Sequence, residues 1–184
     1  MPEHISALYK DLPPEHRPPR FPPGEKKSGP WAQYYGAITH LDEQIGRVLD
    51  TLEETGLSQN TVVIFLGDNG WMMGSHRRHG KINPLDESVR VPLIVRAPRP
   101  LIGMKGSEFR TLVSSLDLPP TWLEIAGVVP PANWPGSSLL PTMRQQKLAA
   151  PFRDDAYSEL EDEKDLPGES YRMLRTQEWK YILG

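Results

Sequence analysis

The 184-residue sequence contains no cysteine, so a disulfide, a thiolate metal site and a cysteine nucleophile are excluded within this chain. No apolar run approaches the roughly 20 residues that a membrane-spanning helix needs. The N-terminus lacks the basic-then-apolar order of a signal peptide, and the compartment is left open. Lys and Arg total 21 against 24 Asp and Glu, which gives a net charge of −3. A general nucleic-acid binder would carry a basic surplus, so we expect no nucleic-acid partner and no membrane span.

One stretch combines a buried strand with chemically active side chains. The β-branched, apolar run Val62–Leu66 predicts a strand that is buried on both faces. It ends at Gly67, and Asp68 and Asn69 follow directly. In open α/β sheets, ligands bind beyond the carboxyl ends of the strands. A carboxylate and a carboxamide at that edge suit a hard cation such as calcium or magnesium.

The residues after this turn form a cationic loop. It contains two histidines, two arginines and a lysine, namely His76, Arg77, Arg78, His79 and Lys81. A metal beside such a loop predicts an anionic substrate. The alternative is that Asn69-Gly70 is the turn of a hairpin, because Asn-Gly is a strong hairpin signal. The following residues, 71–75, do not alternate between apolar and polar as a second strand would.

The remaining pattern indicates an α/β protein. Apolar residues at spacings of three and four predict a helix over Trp31–Thr55, and Val91–Val95 predicts a strand that neighbours Val62–Leu66. A short strand at Thr111–Val113 and a helix capped by Asp117 continue the alternation. The segments Tyr171–Thr176 and Trp179–Ile182 predict an antiparallel hairpin, while the acidic stretch before them reads as a solvated loop.

Three regions follow from these elements. Residues 1–30, which hold three Pro-Pro pairs, are expected to form an extended connection. Residues 31–148 form the main α/β region, and residues 149–184 begin a small antiparallel subdomain.

Ten short runs, in their order and spacing, resemble the later part of a sulfatase of the alkaline-phosphatase-like superfamily. The resemblance implies a central mixed sheet flanked by helices, followed by the start of the C-terminal antiparallel subdomain. It is weakest between residues 128 and 170. The matching runs are Leu41–Leu49, Asn60–Phe65, Gly67–Gly70, Gly74–His76, Gly80–Lys81, Glu87–Val95, Asp117–Thr121, Ala126–Gly127, Tyr171–Thr176 and Trp179–Tyr181.

The resemblance also implies roles for individual residues. Asp68 and Asn69 would be two ligands of an active-site calcium, whose remaining ligands this chain does not supply. Lys81 would contact the sulfate oxygens and the leaving oxygen of the ester. His76 matches a family position beside the site and is the second catalytic candidate. His79 has no counterpart in the family.

The motif that supplies the family's nucleophile is missing from this sequence. Sulfatases make a formylglycine from the first residue of a Cys/Ser-x-Pro-x-Arg motif, and the nearest run here begins at Ser28 but has Ala32 in place of the arginine. The chain therefore resembles a sulfatase segment without the nucleophile half. By itself it is predicted to be inactive, and it is expected to associate through exposed sheet surface.

Three functions remain open from the sequence. The first is a sulfuric ester hydrolase that acts on a sulfated small molecule or glycan. The second is a phosphodiesterase or phosphonate hydrolase of the same superfamily, since the same metal site and lysine can bind a sulfuryl or a phosphoryl group. The third is a non-catalytic remnant or binding module that keeps the fold without the chemistry.

Overall fold

The computed structural model describes residues 2–10, 29–102, 106, 108–144, 152–161 and 170–184. Most of the Pro-rich segment, residues 11–28, lies outside them. Residues Glu3–Leu8 form a short helix, α1, within the region that we expected to be extended. In the described part of the chain, no helix combines the length and apolar character that crossing a bilayer requires.

The long predicted helix is confirmed as α2, Gly29–Glu54. Helix α1 packs on it, with Ile5 fully buried and the Tyr9 hydroxyl 2.8 Å from the Thr39 hydroxyl. After α2 the chain turns at Gly56, whose φ of 72° is the left-handed conformation that glycine adopts at helix ends without strain. Part of the apolar stripe is half-exposed, including Val48 at 57%.

The two predicted neighbouring strands pair with each other. Strand β1, Val63–Leu66, and strand β2, Leu93–Arg96, form a two-stranded sheet, with the short helix α3, Asp86–Val89, between them in sequence. The amide of Gly67 donates to the carbonyl of Pro92 at 3.2 Å, so the end of β1 lies beside the start of β2. Residues 71–75 are not a strand, and the hairpin alternative is wrong.

The segment after β2 differs from the sequence prediction. Short helix α4, Arg99–Ile102, follows it, and no strand forms at residues 111–113. Those residues instead lead into a tight 3₁₀ turn, Ser115–Asp117, which continues into helix α5, Leu118–Ile125. Asp117 does not cap α5 with its side chain, because its carboxylate turns back to the amide of Ser114. Helix α6 comes later, at Leu140–Met143.

The C-terminal strands form an antiparallel sheet in the order β3-β4-β5, with bounds Asp155–Leu160, Tyr171–Thr176 and Lys180–Leu183. The predicted hairpin is confirmed as β4 and β5, and its turn is closed by the amide of Thr176 donating to the carbonyl of Trp179 at 2.8 Å. Strand β3 was missed, because we assigned it to an acidic solvated loop. Its exposure nevertheless alternates residue by residue, as expected for an edge strand with one packed face.

Backbone contacts divide the chain into two compact units. The first comprises Met1–Lys81 and Asp86–Val95, and the second comprises Ile82–Leu85 and Arg96–Gly184. The domain boundaries at residues 30 and 148 stay predictions. Every residue of the predicted site falls in the first unit.

Candidate active site

The site begins where β1 ends. Gly67 is confined there, because a Cβ on it would stand 3.3 Å from the side chains of both Val91 and Pro92. Asp68 comes next and is exposed, and one of its carboxylate oxygens accepts the amide of Asn69 at 2.8 Å. This local bond stabilises the turn and leaves the rest of the carboxylate facing outward.

The structure brings Asn69 and Lys81 together across twelve residues of sequence. The Asn69 side chain donates its Nδ2 to the carbonyl of Gly70 at 2.8 Å, and its Oδ1 accepts the Lys81 ammonium at 2.9 Å. An ammonium has only donors, so the amide oxygen must face it. Two of the residues predicted for metal and sulfate binding therefore form one polar corner.

Helix α3 holds this corner from behind, a role that the sequence analysis did not assign. Ser88 is buried, and its hydroxyl donates to the carbonyl of Lys81. The amide of Gly70 donates to the carbonyl of Ser88 at 2.7 Å. One residue of α3 thus binds both the turn that carries Asn69 and the end of the loop that carries Lys81. The sequence around Glu87 and Ser88 was part of the family resemblance, and that resemblance was the only indication in the sequence of a role for α3.

His76 lies near the site but does not join the Asn69–Lys81 pair. Its Nε2 is 3.4 Å from the Oε1 of Glu87, the residue before Ser88, so it anchors the loop to α3. His76 has a φ of 54°, an uncommon conformation for a residue with a side chain. The neighbouring His79 is exposed.

The donor chemistry of Asp68 and Asn69 fits a hard cation, although it accounts for only part of a coordination shell. Carboxylate and amide oxygens are ligands that calcium prefers, and it takes roughly six to eight of them. The Oδ1 of Asn69 already faces a positive charge, that of Lys81. Among the described residues, no group of three or more His, Asp or Glu side chains is positioned to hold a metal.

Comparison with known families establishes where the chain belongs. A family profile described as Sulfatase matches residues 2–128, and a second, described as N-sulphoglucosamine sulphohydrolase, C-terminal, matches residues 74–183. The chain is a member of the sulfatase family, which confirms the resemblance.

Two curated relatives illustrate the similarity. The chain is 42% identical over 109 residues to an arylsulfatase of Clostridium perfringens, which covers 59% of this chain and 23% of the relative. It is 32% identical over 154 residues to an N-acetylglucosamine-6-O-sulfatase of Bacteroides thetaiotaomicron, which covers 81% of this chain and 27% of the relative. The chain thus spans about a quarter of the length of these relatives.

Solved structures confirm the fold class. A protein in complex with its substrate D-glucosamine-2-N,6-O-disulfate matches with a TM-score of 0.67 at 29% identity, over 82% of this chain and 31% of that protein. A phosphonate monoester hydrolase from Silicibacter pomeroyi matches with a TM-score of 0.74 at 30% identity, over 83% and 32% of the two chains. The protein is a mixed α/β chain with the alkaline-phosphatase-like sulfatase fold.

Proposed function

We propose that this chain supplies part of the active site of a sulfuric ester hydrolase. The observation that carries the proposal is the 2.9 Å contact between the Lys81 ammonium and the Asn69 Oδ1. This contact joins the Lys81 ammonium to a side-chain oxygen just past the end of β1, in a family that hydrolyses sulfate esters.

The chain's own residues would bind and orient the sulfate group. The Lys81 ammonium would donate to a sulfuryl oxygen and to the ester oxygen, and so offset the negative charge that develops as the S–O bond breaks. Ser88 would keep the Lys81 backbone in place. Asp68 and Asn69 would hold calcium, which when bound polarises the sulfuryl oxygens as a Lewis acid. The nucleophile is not among these residues.

A sulfated sugar is the substrate class that the comparisons support. One relative is named for the 6-O-sulfate of N-acetylglucosamine, and one similar structure holds a doubly sulfated glucosamine. The exposed cationic loop beside Lys81 is consistent with a polyanionic ligand. A phosphonate ester is the second candidate, because the Silicibacter pomeroyi hydrolase has the same fold.

A chimera would test the catalytic role of Lys81. This chain would replace the matched segment of the Clostridium perfringens arylsulfatase, and 4-nitrophenyl sulfate and 4-nitrophenyl phenylphosphonate would be assayed in parallel. We expect Lys81→Ala to lower kcat for the sulfate roughly a hundredfold to a thousandfold, the usual loss for a preorganised donor. Arg47→Gln, an exposed change on α2, is the matched control and should leave kcat unchanged.

The chimera also has outcomes that would contradict the proposal. If a folded chimera carrying Lys81→Ala had an unchanged kcat, Lys81 would be a solvent-exposed loop residue without a catalytic role. Faster turnover of the phosphonate would favour the second candidate. The 184-residue chain alone provides the baseline, and we expect no turnover from it because no residue fills the nucleophile position.

Calcium binding gives a measurement that does not depend on activity. The isolated chain should bind calcium with a Kd no tighter than about 10⁻³ M, because two side-chain oxygens are a fraction of the usual shell. Asp68→Ala should weaken even this binding in titration calorimetry, whereas Asp42→Ala on α2 should not. A tight, stoichiometric site that Asp68→Ala abolishes would mean that the chain holds further ligands.

A further inference from the structure

The loop between the two halves of the site is closed twice by its backbone. The amide of Met72 donates to the carbonyl of Gly80 at 2.8 Å, and the amide of Gly74 donates to the carbonyl of Arg78 at 2.9 Å. The His76–Glu87 contact ties its tip to α3. We call residues 74–80 the 74–80 loop. These contacts hold it in one conformation.

The backbone in and next to this loop is strained at three residues. Met73, His76 and Arg77 have φ values of 45°, 54° and 59°, in the left-handed region that side chains avoid. Backbone strain of this kind is found mainly at functional sites. Glycines at these positions would relieve it, so the side chains themselves are the feature to explain.

Two of the loop's side chains are arginines that point to solvent. Arg77 and Arg78 are both exposed, and in the part of the chain that the structure describes neither guanidinium has an ion-pair partner. Glu87, the acid that contacts the loop, lies against His76. Guanidinium groups bind sulfate and carboxylate oxygens through two parallel hydrogen bonds.

Both arginines lie close to Lys81 along the chain. Arg78 is three residues before Lys81, so their Cα atoms are at most about 11 Å apart. Arginine and lysine have long side chains, and both can reach groups on one small ligand. A substrate whose sulfate contacts Lys81 would then present its neighbouring substituents to the 74–80 loop.

We propose that Arg77 and Arg78 form a second-anion subsite, which selects sugars that carry another sulfate or a carboxylate besides the group being hydrolysed. The inference rests on the proposed function for the position of the first sulfate. It goes further in assigning these two residues to substrate choice rather than to bond cleavage.

Binding of two sulfonates tests the subsite without turnover. Naphthalene-2-sulfonate and naphthalene-2,6-disulfonate share one ring system but carry one and two anionic groups, and neither has an ester bond to hydrolyse. We expect the chain to bind the disulfonate about tenfold more tightly by NMR titration, a gain in keeping with charge-assisted contacts to a second anion. Raising the salt to about 0.5 M should shrink the preference, because exposed charges are screened.

Variants separate the subsite from the first anion position. Arg77→Gln with Arg78→Gln should remove the tenfold preference and leave the monosulfonate affinity unchanged, and Arg78→Gln alone should remove part of it. Arg47→Gln should preserve the preference, and Lys81→Ala should weaken both ligands. Equal affinities in the unmodified chain, or a preference that survives the double substitution, would overturn the proposal. Failure of the chimera assay with an intact preference would overturn the proposed catalytic function alone.

Discussion

Gly70→Ala is expected to lower the free energy of unfolding by about 3 kcal/mol or more, the upper end of the usual cost of overpacking. A Cβ on Gly70 would overlap the carbonyl oxygen of Glu87 and stand 2.9 Å from its carbonyl carbon. The obstacle is backbone of α3, which cannot rotate away as a side chain can. The turn and α3 would have to separate, and the bond from the Gly70 amide to the Ser88 carbonyl would break.

Urea denaturation followed by circular dichroism would measure this loss. The matched control is Gly46→Ala, since a Cβ there meets nothing within 4 Å and the residue lies inside α2. That control should stabilise the chain by about 0.5–1 kcal/mol, because alanine favours a helix over glycine. If Gly70→Ala unfolded at the same urea concentration as the unmodified chain, the close packing of the turn on α3 would be wrong.

A comparable loss is expected from Asp117→Ala in the second unit, about 3–5 kcal/mol, the range seen when one partner of a buried charge pair is removed. Asp117 is fully buried, and its carboxylate pairs with the Arg153 guanidinium, of which 15% is exposed. The carboxylate also accepts the amides of Ser114 at 2.7 Å and Ser137 at 2.9 Å. The substitution would leave a buried cation and two amides without their acceptor.

The same denaturation assay checks this prediction. Glu108→Ala is the control, because its ion pair with Arg110 is largely exposed, at 78% and 88%, and such pairs contribute at most about 1 kcal/mol. Replacing both Asp117 and Arg153 should cost less than the sum of the two single losses, since the unpaired charge disappears. Additive losses, or a loss at Asp117 no larger than that at Glu108, would show that the buried pair is not a central contact.

The elements that the sequence predicted well are those defined by local pattern. Apolar periodicity placed α2 and both paired strands to within a few residues, and alternation placed the β4–β5 hairpin. Strand β3 was missed because the acidic residues around it suggested solvent, whereas its backbone pairs with β4. Thr111–Val113 has strand-forming residues but no strand forms, because strand formation requires a partner as well as propensity.

The candidate site divides in the same way. The sequence alone predicted Asp68 and Asn69 at the end of a strand and a lysine twelve residues after Asn69. It also predicted the family whose active site these residues resemble. Local chain geometry suffices for the first two, because a strand that stops abruptly exposes whatever follows it. Tertiary structure decided that Lys81 contacts Asn69, that Ser88 holds both ends of the corner, and that Glu87 contacts His76. Those contacts join residues seven to eighteen positions apart, so the fold and not the local sequence brings them together.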